Sequence, residues 1–136
     1  MAKLYIIRGL PGSGKSTFAR KMIDHGMADS YYEADMYFLD KDGNYNFDPS
    51  KLGNAHSWCK AKVLADLKSG KNVIVSNTFT RRNEMEPYIT YCMDNEIPFE
   101  VIRLQTQFKS IHNVPPEAME RMKARFQDYP TETIIR

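Results

Sequence analysis

Cysteine is nearly absent from this 136-residue chain: Cys59 and Cys92 stand alone, without C-x-x-C spacing. That excludes a disulfide framework or a thiolate metal site as the expectation, and leaves two small core hydrophobes in a reducing compartment. No apolar run approaches the roughly 20 residues of a membrane helix, and no basic, apolar leader precedes the first apolar run. The expected protein is cytoplasmic, with no membrane partner and no structural metal. A large charge of one sign is missing as well. The formal net charge is +2, too small to announce a nucleic-acid binder by itself. At 136 residues, with 42% hydrophobic and 26% charged residues, the chain reads as one domain, residues 1–136, that can bury a core without covalent staples.

Glycine is sparse too, seven in all, yet three of the seven fall in one octapeptide. Gly9-Leu10-Pro11-Gly12-Ser13-Gly14-Lys15-Ser16 is a complete G-x-x-x-x-G-K-[ST] phosphate loop, followed by Thr17. The glycines let the backbone wrap close to phosphate oxygens, and N–H groups at a helix start face the anion. Lys15 adds a mobile positive charge, and the Ser16 hydroxyl is of the type that ligates Mg²⁺. Context agrees: Leu4-Tyr5-Ile6-Ile7-Arg8 suits a buried parallel strand, and Phe18, Ala19, Met22 and Ile23 recur at helical spacing. Strand, glycine loop and helix stand in the order that binding of a nucleoside triphosphate requires.

Further along, a helix stop is expected at His25-Gly26 and a short strand over Ser30–Asp35, placing Asp35 at its carboxyl end. Lys41-Asp42-Gly43-Asn44 reads as a turn. Asp48-Pro49 opens a helix to about Ser69-Gly70 with an apolar face of Leu52, Ala55, Cys59, Val63 and Leu67. Asn72–Asn77 is the clearest second buried strand, and its end is expected beside the phosphate loop. A helix over Arg82–Asn95, a strand over Phe99–Leu104, a loop over Thr106–Pro116 and a charged helix over Glu117–Asp128 complete the alternation. The pattern predicts an α/β fold, a parallel sheet covered by helices on both faces. Charge is uneven along it. Asp29, Glu33, Asp35, Asp40, Asp42 and Asp48 are opposed by Lys41 alone, whereas Lys51, Lys60, Lys62, Lys68, Lys71, Arg81 and Arg82 are opposed by Asp66 alone. The basic run can attract polyphosphate or an oligonucleotide, but a solvated helix face is the more common meaning of such a run.

The strings Arg8–Thr17, Glu33-Ala34-Asp35-Met36-Tyr37-Phe38, Val75-Ser76-Asn77-Thr78 and Val114–Met122 resemble the kinase domain of phage 5′-hydroxyl polynucleotide kinase. Still closer is the resemblance to the small AAA-type ATP-binding proteins related to it, which extends to Asp42–Pro49 and Ala55-His56-Ser57-Trp58. The resemblance implies a P-loop NTPase of nucleotide-kinase type with a short lid, ATP and Mg²⁺ as ligands, and Lys15 and Asp35 as catalytic residues. Gly9, Leu10, Pro11, Gly12, Ser13, Gly14, Lys15, Ser16 and Thr17 would hold the nucleotide, and Ser16 and Asp35 the metal. Asp35 matches the aspartate that accepts the proton of the attacking hydroxyl; helix capping and water-mediated magnesium binding are the other roles open to it. Glu33, two residues earlier on an extended chain, projects on the same face and is a candidate for an outer-shell role.

The chain departs from the polynucleotide kinase pattern twice. Val73–Val75 ends in Ser76-Asn77 rather than in an acid that holds the magnesium water shell, and the lid, Gln105–Val114, is short and carries only Lys109 as a base. Arg81, Arg82, Arg103, Arg121 and Arg125 are candidates to replace the lid clamp. Trp58 is expected to pack, while His56 and His112 stay open between surface and site roles. Two functions follow: a phosphotransferase with a hydroxyl acceptor on a nucleic-acid end or a nucleotide-like molecule, or an ATP-binding or slowly hydrolysing regulatory module.

Overall fold

The computed structural model describes residues 2–105 and 115–136. Five strands form one parallel sheet in the order β2-β3-β1-β4-β5, with β1 (Lys3–Gly9) at the centre, β3 (Asn72–Asn77) and β4 (Phe99–Leu104) beside it, and β2 (Ser30–Tyr32) and β5 (Thr133–Ile135) at the edges. Four helices, α1 (Lys15–Asp24), α2 (Leu52–Lys68), α3 (Arg82–Asp94) and α4 (Pro116–Arg125), follow the loops between strands.

Period-two alternation along β1 divides the core. Leu4 and Ile6 point into a cluster built by Ala55, Cys59, Val63 and Leu67 of α2 and by Met85, Tyr88, Ile89 and Cys92 of α3. Tyr5 and Ile7 point the other way, against Ala19 and Met22 of α1. Helices therefore cover both faces, as the unbroken apolar runs in β1 and β3 require. Both cysteines are free and buried, in the role of small core hydrophobes. Burial pushes the Cys92 thiol up to about 11, so it stays protonated at neutral pH.

Local chemistry sets most boundaries. Gly26, at φ +76°, follows the end of α1 as the expected left-handed stop. The Asp48 carboxylate accepts the Ser50 N–H, starting a 3₁₀ turn over Pro49–Lys51 that runs into α2. Leu52, expected on the buried face of α2, is exposed because it lies at this junction, ahead of the first turn that packs on the sheet. The turn after Leu39 is held by Asp40, whose Oδ1 accepts the N–H groups of Asp42 and Asn44, each at 2.9 Å.

Two differences from the sequence reading bear on the site. β2 ends at Tyr32, and Ala34–Phe38 is a 3₁₀ helix, so Asp35 lies in a helical first turn rather than on a strand. The cause is visible: the Ala34 N–H is taken by Asn77 Oδ1 at 2.9 Å, which diverts the chain from sheet pairing. The second is β5, which the sequence reading lacks. It pairs Ile102, Arg103 and Leu104 with Thr133, Ile134 and Ile135. Residues 106–114 of the lid segment, Lys109 and His112 among them, lie outside the described residues.

Candidate functional site

The glycine loop leaves the carboxyl end of the central strand and turns straight into α1. Gly12 and Gly14 sit at φ +83° and +86°, a region that side chains other than glycine rarely enter, and Gly14 is the residue before the helix. Gly9 is needed for a different reason: a Cβ there would stand 2.5 Å from Ser13 Oγ and 2.9 Å from the Leu104 carbonyl. The loop is tied to the end of β3 by the Gly9 N–H donating to the Thr78 carbonyl at 3.3 Å, where the sequence placed it. Inside the loop, Ser13 Oγ is buried with no hydrogen-bond partner among the described residues.

Lys15 folds back over this loop, its Nζ donating to the carbonyls of Gly9 at 2.9 Å and Leu10 at 3.0 Å. Burial lowers its pKa from the ordinary 10.5 to about 8, against the opposing pull of the Glu33 and Asp35 carboxylates. The amine is thus held in a partly dehydrated place where an anion would be welcome. The two carboxylates arrive from the end of β2 and differ in setting. Glu33 is half-buried: its Oε2 accepts from the Tyr31 hydroxyl and, at 3.4 Å, from the Ser16 hydroxyl, and Tyr31 Oη lies 3.2 Å from Ser16 Oγ. Burial and the neighbouring carboxylate push the Tyr31 hydroxyl well above its usual range, keeping it a donor. Asp35 is exposed, and its Oδ1 accepts only a long 3.4 Å contact from the Tyr45 hydroxyl among the described residues.

Tyr45 belongs to an aromatic group on the same side. Its ring stacks on Phe47 with planes 8° apart, both rings about half exposed, and Phe38 packs edge-on to both. Trp58 packs against Tyr32 and Tyr37, as expected, and His56 is exposed on α2.

The opposite flank of the loop has another character. Arg8, the residue before Gly9, is completely buried; its guanidinium donates to the Phe79 carbonyl at 2.6 and 3.0 Å and pairs with Glu132 Oε1 at 2.9 Å. Phe79 takes φ +45°, an unusual conformation for an aromatic residue that its carbonyl's bonds to Arg8 help to hold. Arg103 bonds Glu132 Oε2 at 3.3 Å and Asp128 at 2.5 Å, and both guanidiniums lie over the Phe126 ring, 4.4 and 4.3 Å from its centroid. Between this cluster and the loop opens a cavity of about 320 Å³ lined by Leu10, Ser13, Arg103, Leu104, Gln105, Lys123 and Phe126.

Sequence reasoning therefore named the loop, Lys15, Ser16, Asp35 and Glu33, and the structure brings them to one sheet edge. Of the arginines named as clamp candidates, Arg103 is committed to the ion-paired cluster, Arg82 to the Asp128 carbonyl at 2.6 Å, and Arg125 to Thr80 Oγ1 at 3.3 Å. Tyr31 was missed. Its signal was the i, i+2 spacing to Glu33 on an extended segment, which puts both side chains on one face.

Comparison with known proteins bears on the fold and the family. Human NEDD4-binding protein 2 is 31% identical over 97% of this chain, which spans only 8% of that protein's length. Among solved structures, a chain of the Pnkp1/Rnl/Hen1 RNA repair complex superposes with a TM-score of 0.70 at 24% identity, covering 92% of this chain and 44% of that one. The Mycobacterium tuberculosis APS kinase CysC, in complex with AMPPNP and APS, superposes at 0.63 with 15% identity, covering 98% and 86%. The fold is the P-loop kinase-like one. The sequence profile of the AAA domain family matches residues 4–129, a range that takes in the phosphate loop, strands β1 to β4 and helices α1 to α4, and the chain belongs to that family.

Proposed function

We propose that this chain is an ATP-binding phosphotransferase that delivers the γ-phosphate to a hydroxyl on a nucleic-acid end or a nucleotide-like acceptor. The observation that carries this reading is the convergence, at the end of β1 and β2, of a glycine-cradled lysine and an exposed aspartate within its electrostatic reach. The residues fit a magnesium-bound nucleotide. Ser13 Oγ is a buried polar atom without a partner among the described residues, the loop has no room for a Cβ at Gly9, and Ser16, Glu33 and Asp35 offer the hard oxygen donors that Mg²⁺ takes. When bound, Mg·ATP would supply the transferable phosphoryl group and the charge that balances its oxygens.

The chain's own residues would do the rest. Loop N–H groups and the start of α1 bind phosphate oxygens, and Lys15 leaves the carbonyls of Gly9 and Leu10 to neutralise them. The cavity beside Leu10 and Phe126 offers the nucleotide's base an apolar wall and a guanidinium face. Asp35, exposed and weakly bonded, orients the acceptor hydroxyl and takes its proton. The Tyr45–Phe47 pair stands next to it as a surface on which an aromatic base can stack. One observation favours the regulatory-module reading instead: β3 ends without an acid, and Asn77 spends its carbonyl oxygen on the Ala34 N–H.

A labelled-ATP transfer screen against oligonucleotide ends, nucleosides and nucleotides, with hydrolysis measured alongside, separates the two. The phosphotransferase reading expects labelled acceptor from the wild type and none from Lys15→Ala at unchanged fold. Hydrolysis without transfer to any acceptor supports the module.

A further inference from the structure

In the resembling kinase pattern an acid at the end of the strand next to β1 steadies the cation, and here that strand ends in Ser76 and Asn77. Neither replaces the missing charge. Ser76 is fully buried, and its hydroxyl lies beside that of Tyr31, outside hydrogen-bond geometry and without another partner among the described residues. Asn77 is engaged with Ala34. The negative charge nearest the α1 hydroxyl comes from the other strand: Glu33 Oε2 stands 3.4 Å from Ser16 Oγ, with the Tyr31 hydroxyl bonded to the same carboxylate oxygen.

Oxygens in adjacent positions around Mg²⁺ are about 2.9 Å apart for an octahedron with 2.0–2.1 Å bonds. The Ser16–Glu33 pair is within half an ångström of that spacing before any cation draws it together. We infer that Glu33 is the acidic ligand of the divalent-cation site at the phosphate loop, with Tyr31 as its positioning residue and the orphaned Ser76 hydroxyl at the floor of the site. The acid has moved from the end of β3 to the end of β2. Asp35, exposed and two residues further along, is then free for the acceptor hydroxyl. This inference rests on the proposed nucleotide site, and its test separates the two.

Calorimetric titration of ATP into wild type, Glu33→Gln, Tyr31→Phe and the double variant Glu33→Gln with Ser76→Asp is run in EDTA and across a Mg²⁺ series, with Mn²⁺ binding followed in parallel by its electron spin resonance signal. Glu33→Gln is expected to raise the Mg²⁺ concentration at half-effect by about tenfold or more, while ATP affinity in EDTA holds or improves, because a negative charge facing the phosphates has gone. Tyr31→Phe shifts the midpoint less, in the same direction, and Ser76→Asp recovers part of the loss. An unchanged Mg²⁺ midpoint in Glu33→Gln overturns the assignment, as does an equal loss of affinity with and without metal, the signature of a merely structural glutamate. Failure of folded wild type to bind ATP in either condition is a different result and overturns the nucleotide site itself.

Discussion

The two flanks of the phosphate loop are built on opposite plans. On the β5 side, Arg8, Glu132, Arg103 and Asp128 pair with one another around Phe126, and both Arg8 and Glu132 have side chains at most 4% exposed. On the β2 side, Ser16, Tyr31, Glu33 and Asp35 are half-buried or exposed, carry net negative charge and leave the Ser76 hydroxyl unpartnered among the described residues. A buried ion pair is tolerable only when complete, because each uncompensated charge costs several kcal/mol. The first flank is therefore finished without a ligand, and the second is not. Support and chemistry are separated across a single loop.

That contrast can be broken most forcefully on the β5 side. Glu132→Ala strands the buried Arg8 guanidinium and is expected to cost about 3–5 kcal/mol in urea unfolding, whereas Arg8→Met combined with Glu132→Leu should recover most of it. A loss below about 1 kcal/mol for the single change would mean that the cluster behaves like a surface pair. On the β2 side the expected damage is to turnover instead. Asp35→Asn should lower transfer by on the order of a hundredfold at saturating Mg²⁺, with ATP affinity retained and the melting temperature unmoved. Transfer that survives the change removes Asp35 from the mechanism.

A subtler contrast lies in protons. Lys15 is held near a pKa of about 8 by burial, and a polyphosphate beside it opposes that lowering. Binding of ATP around pH 8–9 should then take up a fraction of a proton, read as a dependence of the binding heat on buffer ionisation enthalpy, and the uptake should fade below pH 7, where Lys15 is already charged. The unfolded chain keeps this lysine near 10.5, so between about pH 8 and 10.5 it binds more protons than the folded state and the Lys15 contribution to stability rises with pH. Smallest of all, Tyr45→Phe deletes only the long contact to Asp35 and should change stability by less than about 0.5 kcal/mol; a larger loss would show that the β2 flank, too, carries structural weight.

Much of this was legible before the fold. The ends of β3 and β4, the left-handed stop at Gly26 and the capped start at Asp48 each rest on a local signal: an apolar run, a glycine, a short acid before proline. What was not legible depends on partners distant in sequence. Strand β2 stops early because Asn77, 43 positions away, takes the Ala34 N–H. Strand β5 is three residues long and exists by pairing with β4, too short for any periodicity. Asp35 and Glu33 were both named, but which of them stands next to Ser16 was not legible, since spacing says which face a side chain shares and not which hydroxyl it meets. Arg103 looked like any other arginine near the lid until Phe126 and Glu132 came to meet it.

The Arg8–Glu132 pair has a consequence in time. The two residues are separated by 124 positions, so a ribosome makes the foot of the phosphate loop first and its counter-charge only after α1, α2, α3 and α4 have followed. A contact of such range forms late and at the entropic cost of closing a long loop. Until Glu132 emerges, the guanidinium has reason to stay in water, and the strand that carries the loop cannot be fully buried. Nascent chains would therefore be poor nucleotide binders, and resistance to protease conferred by ATP should appear only once the segment through Glu132 has been translated.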